Sequence, residues 1–161
     1  MSMLRTNEEL VLRALAPGDE DAIVKIDARS VGRRREEFFR AKLRQAFADT
    51  GVALSLVAEI DGTVVGFVLA RVYYGEFGLA EPAAVLDVFG VHPEFRGRHV
   101  GAALLEQLRT NLAGLGIATL QTEVNWSSPD LITFFHHEGF VPAARFCLDL
   151  DLRQPRPEPA A

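Results

Sequence analysis

Arg96-Gly97-Arg98-His99-Val100-Gly101 places two guanidinium groups and two glycines within six residues. The residues before it, 85–91 (VLDVFGV), are an apolar run too short for a globular helix. His92-Pro93 closes that run, so it reads as a buried strand, ended by a proline that has no N–H to give a ladder. The residues after it, AALLEQLRTNL, have helical periodicity. A strand, a short glycine-containing loop and a helix start aim several backbone N–H groups and the positive end of a helix dipole at one spot. Such a spot takes phosphate, and two arginines reinforce it in a chain that is otherwise net acidic. The plainer reading is a β–α connection with exposed arginines. The loop lacks the Gly-Lys-Ser/Thr ending of a Walker loop and does not read G-x-G-x-x-G. A second candidate is Asp87, the one acid inside the apolar run, because a carboxylate is costly to bury there without a partner or a task.

Taken together, Val91-x-Pro93-x-x-Arg96-Gly97-Arg98-x-x-Gly101 resembles the acetyl-CoA signature of the GNAT superfamily of N-acetyltransferases. The loop pattern of that family is Arg/Gln-x-x-Gly-x-Gly/Ala, and here its first glycine is His99. A companion segment recurs at residues 125–140, so the resemblance covers nearly the whole chain. It implies acetyl-CoA as co-substrate, with the pyrophosphate at Arg96, Gly97, Arg98, His99, Val100, Gly101 and Ala102. It further implies a pantetheine arm in a gap between splayed fourth and fifth strands, beside Phe89, Gly90 and Val91 and near Asn125. Gly90 suits the bulge that such a gap requires, since a missing side chain lets another backbone or a ligand approach. If His99 has negative φ, as the first turn of a helix would give, its Cβ is permitted and its ring points to solvent.

The resemblance also assigns proton chemistry. Family members often carry a glutamate at the place of Asp87, which accepts a proton from the substrate amine, usually through water. The need is real, because an alkylammonium of pKa about 10 has no lone pair for attack at neutral pH. A structural aspartate bonded to backbone is the alternative. Phe135 falls where many members have a tyrosine that protonates the departing thiolate. Phenylalanine cannot donate a proton, but a thiol of pKa about 8.5 is a fair leaving group unaided. His136 and His137 read as surface or packing residues, and Tyr73 and Tyr74 have no positional support as substitutes.

The elements that must position these groups follow a simple order. A first strand at residues 10–15 leads through Pro17-Gly18-Asp19, with Asp19 as helix N-cap, to a helix spaced by Ala22, Ile23, Ile26 and Val31. A second helix, 35–48, buries Phe38, Phe39, Leu43 and Phe47 and ends at Thr50-Gly51. Residues 52–60 and 63–73 are β-rich runs separated by Asp61-Gly62, the strongest short-range hairpin signal. After a loop at 75–82 come the strand, the anion loop and a crossover helix ending near Ala113-Gly114, and then a strand at 117–124. That unit is parallel and right-handed. Ser127-Ser128-Pro129 starts a helix that ends before Gly139, with a serine cap and proline in its first turn. Residues 144–152 alternate: Phe146, Leu148, Leu150 and Leu152 on one face, Arg145, Cys147, Asp149 and Asp151 on the other. This is the pattern of a half-buried antiparallel strand. The order βααβββαβαβ predicts a mixed α/β sheet, as in the GNAT fold. It is mostly antiparallel, of about six or seven strands flanked by about four helices, with a splayed parallel central pair.

The bulk numbers set the frame. At 161 residues the chain is read as one domain over 1–152, with a loose Pro-rich tail at 153–161. Hydrophobic content of 48% with 24% charged residues is ordinary for a soluble globular protein. No eighteen-residue apolar run or N-terminal apolar leader is visible, which predicts no membrane span and no secretory signal. The single cysteine, Cys147, cannot form an internal disulfide and fits a reducing cytoplasm. Net charge of −5, from 17 basic and 22 acidic residues, argues against a nucleic-acid binder, and no zinc-ligand spacing is present. Residues 29–44 hold seven basic side chains against Glu36 and Glu37. This reads as a solvated helical face or, where the resembled fold borders its acceptor site, as attraction for an acidic acceptor. The expected function is acetyl transfer to a primary amine (a small amine, a protein N-terminus or a lysine), in a possible homodimer. The alternative is a non-catalytic acyl-CoA-binding or sensor module on the same fold.

Overall fold

The computed structural model describes residues 9–48 and 54–155. Five strands form one sheet in sequential order: β1 (Leu10–Ala14), β2 (Leu56–Ile60), β3 (Thr63–Tyr73), β4 (Ala83–Val91) and β5 (Leu120–Thr122). The first three junctions are antiparallel, and β4 pairs β5 in parallel, as the sequence predicts for a strand–helix–strand unit. Two helices, α1 (Glu20–Val31) and α2 (Glu36–Ala48), cover one face. The crossover helix α3 (Val100–Gly114) and α4 (Pro129–His137) cover the other. Among the described residues no helix is long and apolar enough to cross a membrane.

Local sequence explains most of these boundaries. Asp61 and Gly62 both have positive φ (50° and 75°), which a two-residue hairpin turn between β2 and β3 requires. Gly32 ends α1 in the left-handed conformation and donates its N–H to the Ala28 carbonyl. Asp19 stands at the N-cap of α1, yet its carboxylate does not cap the helix. Instead it accepts two hydrogen bonds from Arg13 at 2.7 and 2.8 Å and one from the Ala16 N–H at 2.7 Å. Arg13 also holds Glu59, joining β1, β2 and the start of α1. Ser128 is likewise an N-cap by position without a side-chain cap bond, and Pro129 opens α4 as expected. The predicted helix end at Thr50-Gly51, the start of the run at residue 52 and the tail beyond residue 155 lie outside the described residues.

Two cores lie back to back across the sheet. One packs α3, with Val100, Leu104, Leu105, Leu108 and Leu112, against Leu56, Ala58, Val68, Ala84, Leu86 and Val91. The other packs Ile23, Ile26, Phe39 and Leu43 against Val57, Phe67 and Leu69. Phe39 is fully buried, edge-on to Phe67 at 5.9 Å, whereas Phe38 and Phe47, predicted inside, stay exposed at the flank of α2.

Three expectations need correction. The bulge foreseen at Gly90 lies elsewhere: Gly90 pairs Phe67 in regular register, and the register breaks between Leu69↔Val88 and Ala70↔Leu86, which leaves Asp87 as the extra residue. Gly90 is small for another reason, because a Cβ there would meet the Phe67 ring at 2.7 Å. His99 has φ of +63°, not a negative value, so the loop retains the left-handed conformation that favours glycine. The final strand, 144–152, does not join the sheet. Among the described residues the sheet therefore has five strands rather than six or seven, and β5 spans three residues of the predicted 117–124.

Two tests follow from this architecture. Hydrogen bonds from Arg13, against an opposing desolvation and helped by the Ala16 N–H, hold the Asp19 carboxyl below the usual carboxylate range. A lowered carboxyl contributes stability above its unfolded pKa of about 3.9, and that contribution is lost as pH falls through the folded value. Asp19→Asn is expected to destabilise by about 1–2 kcal/mol at pH 7, Arg13 being one-third exposed. In urea titrations the gap from the parent should narrow below about pH 4; an unchanged gap in strong acid would remove the charge from the account. His99→Gly should raise the unfolding free energy by about 0.5 kcal/mol, read as a higher denaturation midpoint, left-handed strain relieved less the entropy of a freer unfolded chain. A lower midpoint would mean that the imidazole makes a stabilising contact.

Candidate active site

The bulge in β4 determines which way its side chains face. A regular strand alternates, so Leu86 and Val88 would share a face. With one residue inserted, Ala84, Leu86, Phe89 and Val91 all reach the α3 core, while Val88 packs with the α1–α2 core. Asp87 turns to the α2 side, where its carboxylate accepts a hydrogen bond from Lys42 Nζ at 2.5 Å. The pair is not deeply buried, at 30% exposure for the Asp87 side chain and 28% for Lys42. A partly exposed, ion-paired carboxylate thus replaces the buried one that the apolar run suggested. It opens on a cavity of about 310 Å³ lined by Lys42, Ser55, Leu69, Ala70, Tyr74 and Asp87 among others.

Beside the bulge, β4 and β5 part. Their pairing ends at Leu86↔Thr122, while β4 runs on to Val91 against β3 and the other chain continues to Asn125. The Thr122 hydroxyl donates to the Leu86 carbonyl at 3.0 Å at this fork. The region beyond is walled by aromatic rings. Phe89 stacks on Phe134 at 5.1 Å, and Phe135 lies against Phe89, Phe134 and Phe140 at 4.9–5.9 Å between centroids. Phe135 is buried, so the aromatic cluster fills the position that the resemblance gives to a proton-donating tyrosine. His136 and His137 are exposed on the far side of α4, and the Tyr73 hydroxyl bonds to Gln121. Neither histidine points into this cluster as a substitute acid.

The anion loop closes the fork. A single helical turn, Pro93–Phe95, follows β4; the Glu94 N–H donates to His92 Nδ1, and the Phe95 and Arg96 N–H groups to the His92 and Pro93 carbonyls. Gly97 (φ +74°) and His99 then bring the chain into α3, whose first ladder bond is Ala103 N–H to the His99 carbonyl. The N–H groups of Val100, Gly101 and Ala102 therefore precede the helix's own ladder at its positive end. Arg96 is anchored to the Ser30 hydroxyl of α1 at 2.8 Å, and Arg98 lies over the Phe95 ring at 5.0 Å. His99 is exposed. Gly101 has a packing role, because a Cβ there would sit 2.9 Å from Phe89 and 3.1 Å from Phe134. Asn125 uses its amide oxygen to accept from the Ser127 N–H and hydroxyl at 3.0 and 2.7 Å, folding the turn into α4.

Phe89, Gly90, Val91, the loop, Asn125 and Phe135 thus lie around one fork, with Asp87 at its apex. Sequence reading missed Lys42. It follows Phe39 by three positions and precedes Leu43, both buried, so its place on the core-facing flank of α2 was visible in the periodicity. The charge left for an acidic acceptor is largely engaged within the chain: Arg34 pairs Glu36 and Asp21, Arg35 pairs Asp27, Arg40 approaches Glu20 and Lys42 pairs Asp87.

Comparison with known proteins identifies the family and the fold. Residues 21–140 match the Acetyltransferase (GNAT) family. The fold is that of the aminoglycoside N-acetyltransferase AAC(6')-Iy in complex with CoA: TM-score 0.77 at 16% identity, covering 93% of this chain and 99% of that one. It is also similar to Ard1 from Thermoplasma volcanium (TM-score 0.70, 22% identity, 84% of each chain). A ribosomal-protein-alanine N-acetyltransferase from Brucella melitensis biovar Abortus 2308 gives a TM-score of 0.68 at 19% identity, covering 89% of this chain and 99% of that one. With three-quarters of its length inside the family match, the chain belongs to the acetyltransferase (GNAT) family and is, by that membership, an acyltransferase.

Proposed function

We propose that the protein transfers the acetyl group of acetyl-CoA to a primary amine, with Asp87 as the proton acceptor. The observation that carries this reading is the bulge, which sets a carboxylate at the point where β4 and β5 separate and turns it toward a cavity. The residues fit the co-substrate. Its pyrophosphate would be held by the N–H groups around residues 97–102, with Arg96 and Arg98 adding charge, and its pantetheine arm would lie in the fork against Phe89 and near Asn125. Acetyl-CoA supplies an activated acyl group. Asp87 removes the proton that keeps the amine from attacking, and the aromatic wall of Phe89, Phe134 and Phe135 limits water at the reacting carbon. No donor replaces the missing tyrosine in this reading, so the thiolate departs unprotonated.

Lys42 adds a condition on the acceptor. Its ammonium occupies the partner position that an incoming alkylammonium would take on Asp87. An acceptor must therefore displace it or approach as the neutral amine. Relatives in fold include N-acetyltransferases named for aminoglycosides and for ribosomal-protein alanine. A primary amine is what those names share.

Two measurements test the assignment. Asp87→Asn, assayed by release of CoA thiol with a panel of amines, should lose about 10²–10⁴ in turnover while acetyl-CoA binding by calorimetry stays intact. Part of the loss should return at high pH, where free amine forms unaided. Turnover at the parent rate would make Asp87 structural, and no thiol release from parent with any amine would favour a module that only binds acyl-CoA. Lys42→Met removes the competing charge while keeping the stem. It should lower KM for a cationic acceptor about fivefold, with kcat changed less; a raised KM would show that Lys42 helps to hold the acceptor.

A further inference from the structure

An amine of the chain itself stands on Asp87. Lys42 projects from the core-facing flank of α2, and its Nζ donates to the Asp87 carboxylate at 2.5 Å. Both side chains are partly exposed, and both line the cavity of about 310 Å³ beside the bulge. The pair therefore stands at the wall of an open site and not within a sealed core.

The residue that makes this pair is a lysine in a chain that rarely uses one. Of the 17 basic residues only Lys25 and Lys42 are lysines, and the rest are arginines. Elsewhere guanidinium groups take the carboxylates: Arg13 on Asp19, Arg35 on Asp27 and Arg153 on Asp151, each through two side-chain hydrogen bonds. An arginine grips a carboxylate bidentately and keeps its charge, so it serves a structural pair better than lysine. What lysine adds is chemistry. An ammonium that gives up a proton has a lone pair for attack, whereas a guanidinium is not deprotonated in proteins. The other lysine, Lys25, pairs with Asp21 one turn away on the exposed face of α1.

We infer that Lys42 is an acyl acceptor within its own site, taking one acetyl group from acetyl-CoA in cis when no other amine is supplied. This rests on the reading of Asp87 as the proton acceptor at the fork. An external amine must bring its nitrogen within hydrogen-bond reach of that carboxylate, and Lys42 has done so already. Its attachment to the same chain gives it the advantage of an intramolecular reaction, and its four-carbon stem lets the nitrogen swing from the carboxylate toward the fork. No second copy is needed, because the ammonium is turned onto the Asp87 of its own chain. In the reaction the ammonium passes one proton to Asp87, and the nitrogen lone pair attacks the thioester carbonyl. The C–N bond forms, the C–S bond breaks with the thiolate as leaving group, and the second amine proton goes to water. The product is a neutral amide that no longer pairs with Asp87 as an ion, so the reaction occurs once per chain and leaves the carboxylate open to an external acceptor.

The scarcity of lysine makes the test direct. The parent, incubated with acetyl-CoA and no amine, should gain one acetyl mass per chain, located at Lys42 by peptide mapping and matched by one equivalent of free thiol. The reaction should be first order, with a rate independent of protein concentration, and Lys25 should be modified at least about tenfold more slowly. Asp87→Asn should slow acetylation at position 42 by about 10²-fold. Lys42→Arg, which keeps the charge without the acceptor nitrogen, should release no thiol unless an amine is added. Equal modification of Lys25 and Lys42, an undiminished rate in Asp87→Asn, or thiol release by Lys42→Arg at the parent level would each overturn the inference. So would a rate that rises with protein concentration, which means transfer between copies. An unmodified Lys42 in a protein that turns over an added amine overturns this inference alone; an unmodified Lys42 with no thiol released to any amine overturns the transferase reading with it.

Discussion

One inserted residue in β4 governs the arrangement. Side chains alternate along a strand with period two, so an extra residue shifts every later side chain to the opposite face. Without the bulge at Asp87, Leu86 and Phe89 could not both serve the α3 core. With it, the first half of β4 and its second half pack against the same helix layer, and the residue at the break is left facing the other way. On the β2 side of β3 at the same level, ahead of the first residue of β2, the Ser55 hydroxyl accepts the Ala70 N–H at 3.1 Å, so that edge stays satisfied. The same break precedes the fork with β5. The break in pairing thereby stands at the point where β4 and β5 separate and sets the orientation of the carboxylate beside it.

Ion pairs tie the two helices on the α2 face to that opening. Arg35 grips Asp27 through two hydrogen bonds at 2.6 and 2.8 Å and lies over the Phe38 ring at 4.6 Å, which fixes the start of α2 against α1. The connection between the helices is four residues long, so this clamp sets the position of Lys42 over Asp87. On the other side, Arg96 reaches Ser30 near the end of α1. The anion loop and the α2 flank are therefore linked through α1, and a shift of α1 would be felt at both ends of the fork.

Aromatic packing accounts for one residue that keeps the family pattern, Gly101, and one that departs from it, Phe135. Gly101 is as small as its neighbours require, with Phe89 and Phe134 filling the space above it. A tyrosine at position 135 would have to place a hydroxyl among Phe89, Phe134 and Phe140, where a buried donor without a partner is costly. Phenylalanine suits the interior that this chain has built, and in the proposed reaction it leaves Asp87 as the group assigned to the proton.

Much of the fold was legible from local signals. The Asp61-Gly62 turn, the periodicities of α1 to α4, the Pro93 stop and the glycine-bearing entry to α3 each act over a few residues, and the backbone responds to them directly. The family motif likewise marked the loop from Arg96 to Ala102, Asn125 and Phe135, because it is written in contiguous residues. The bulge was not legible. A run that is apolar except for Asp87 shows no regular alternation to break, so only pairing with β3 revealed that Asp87, not Gly90, is the extra residue. Lys42 joined Asp87 from forty-five positions away, a distance that no local pattern spans. The alternation at 144–152 predicts a strand, but alternation does not supply a partner, and the segment joins none of the five strands. Whether such a segment meets an edge depends on where α4 releases the chain, and that is decided only in three dimensions.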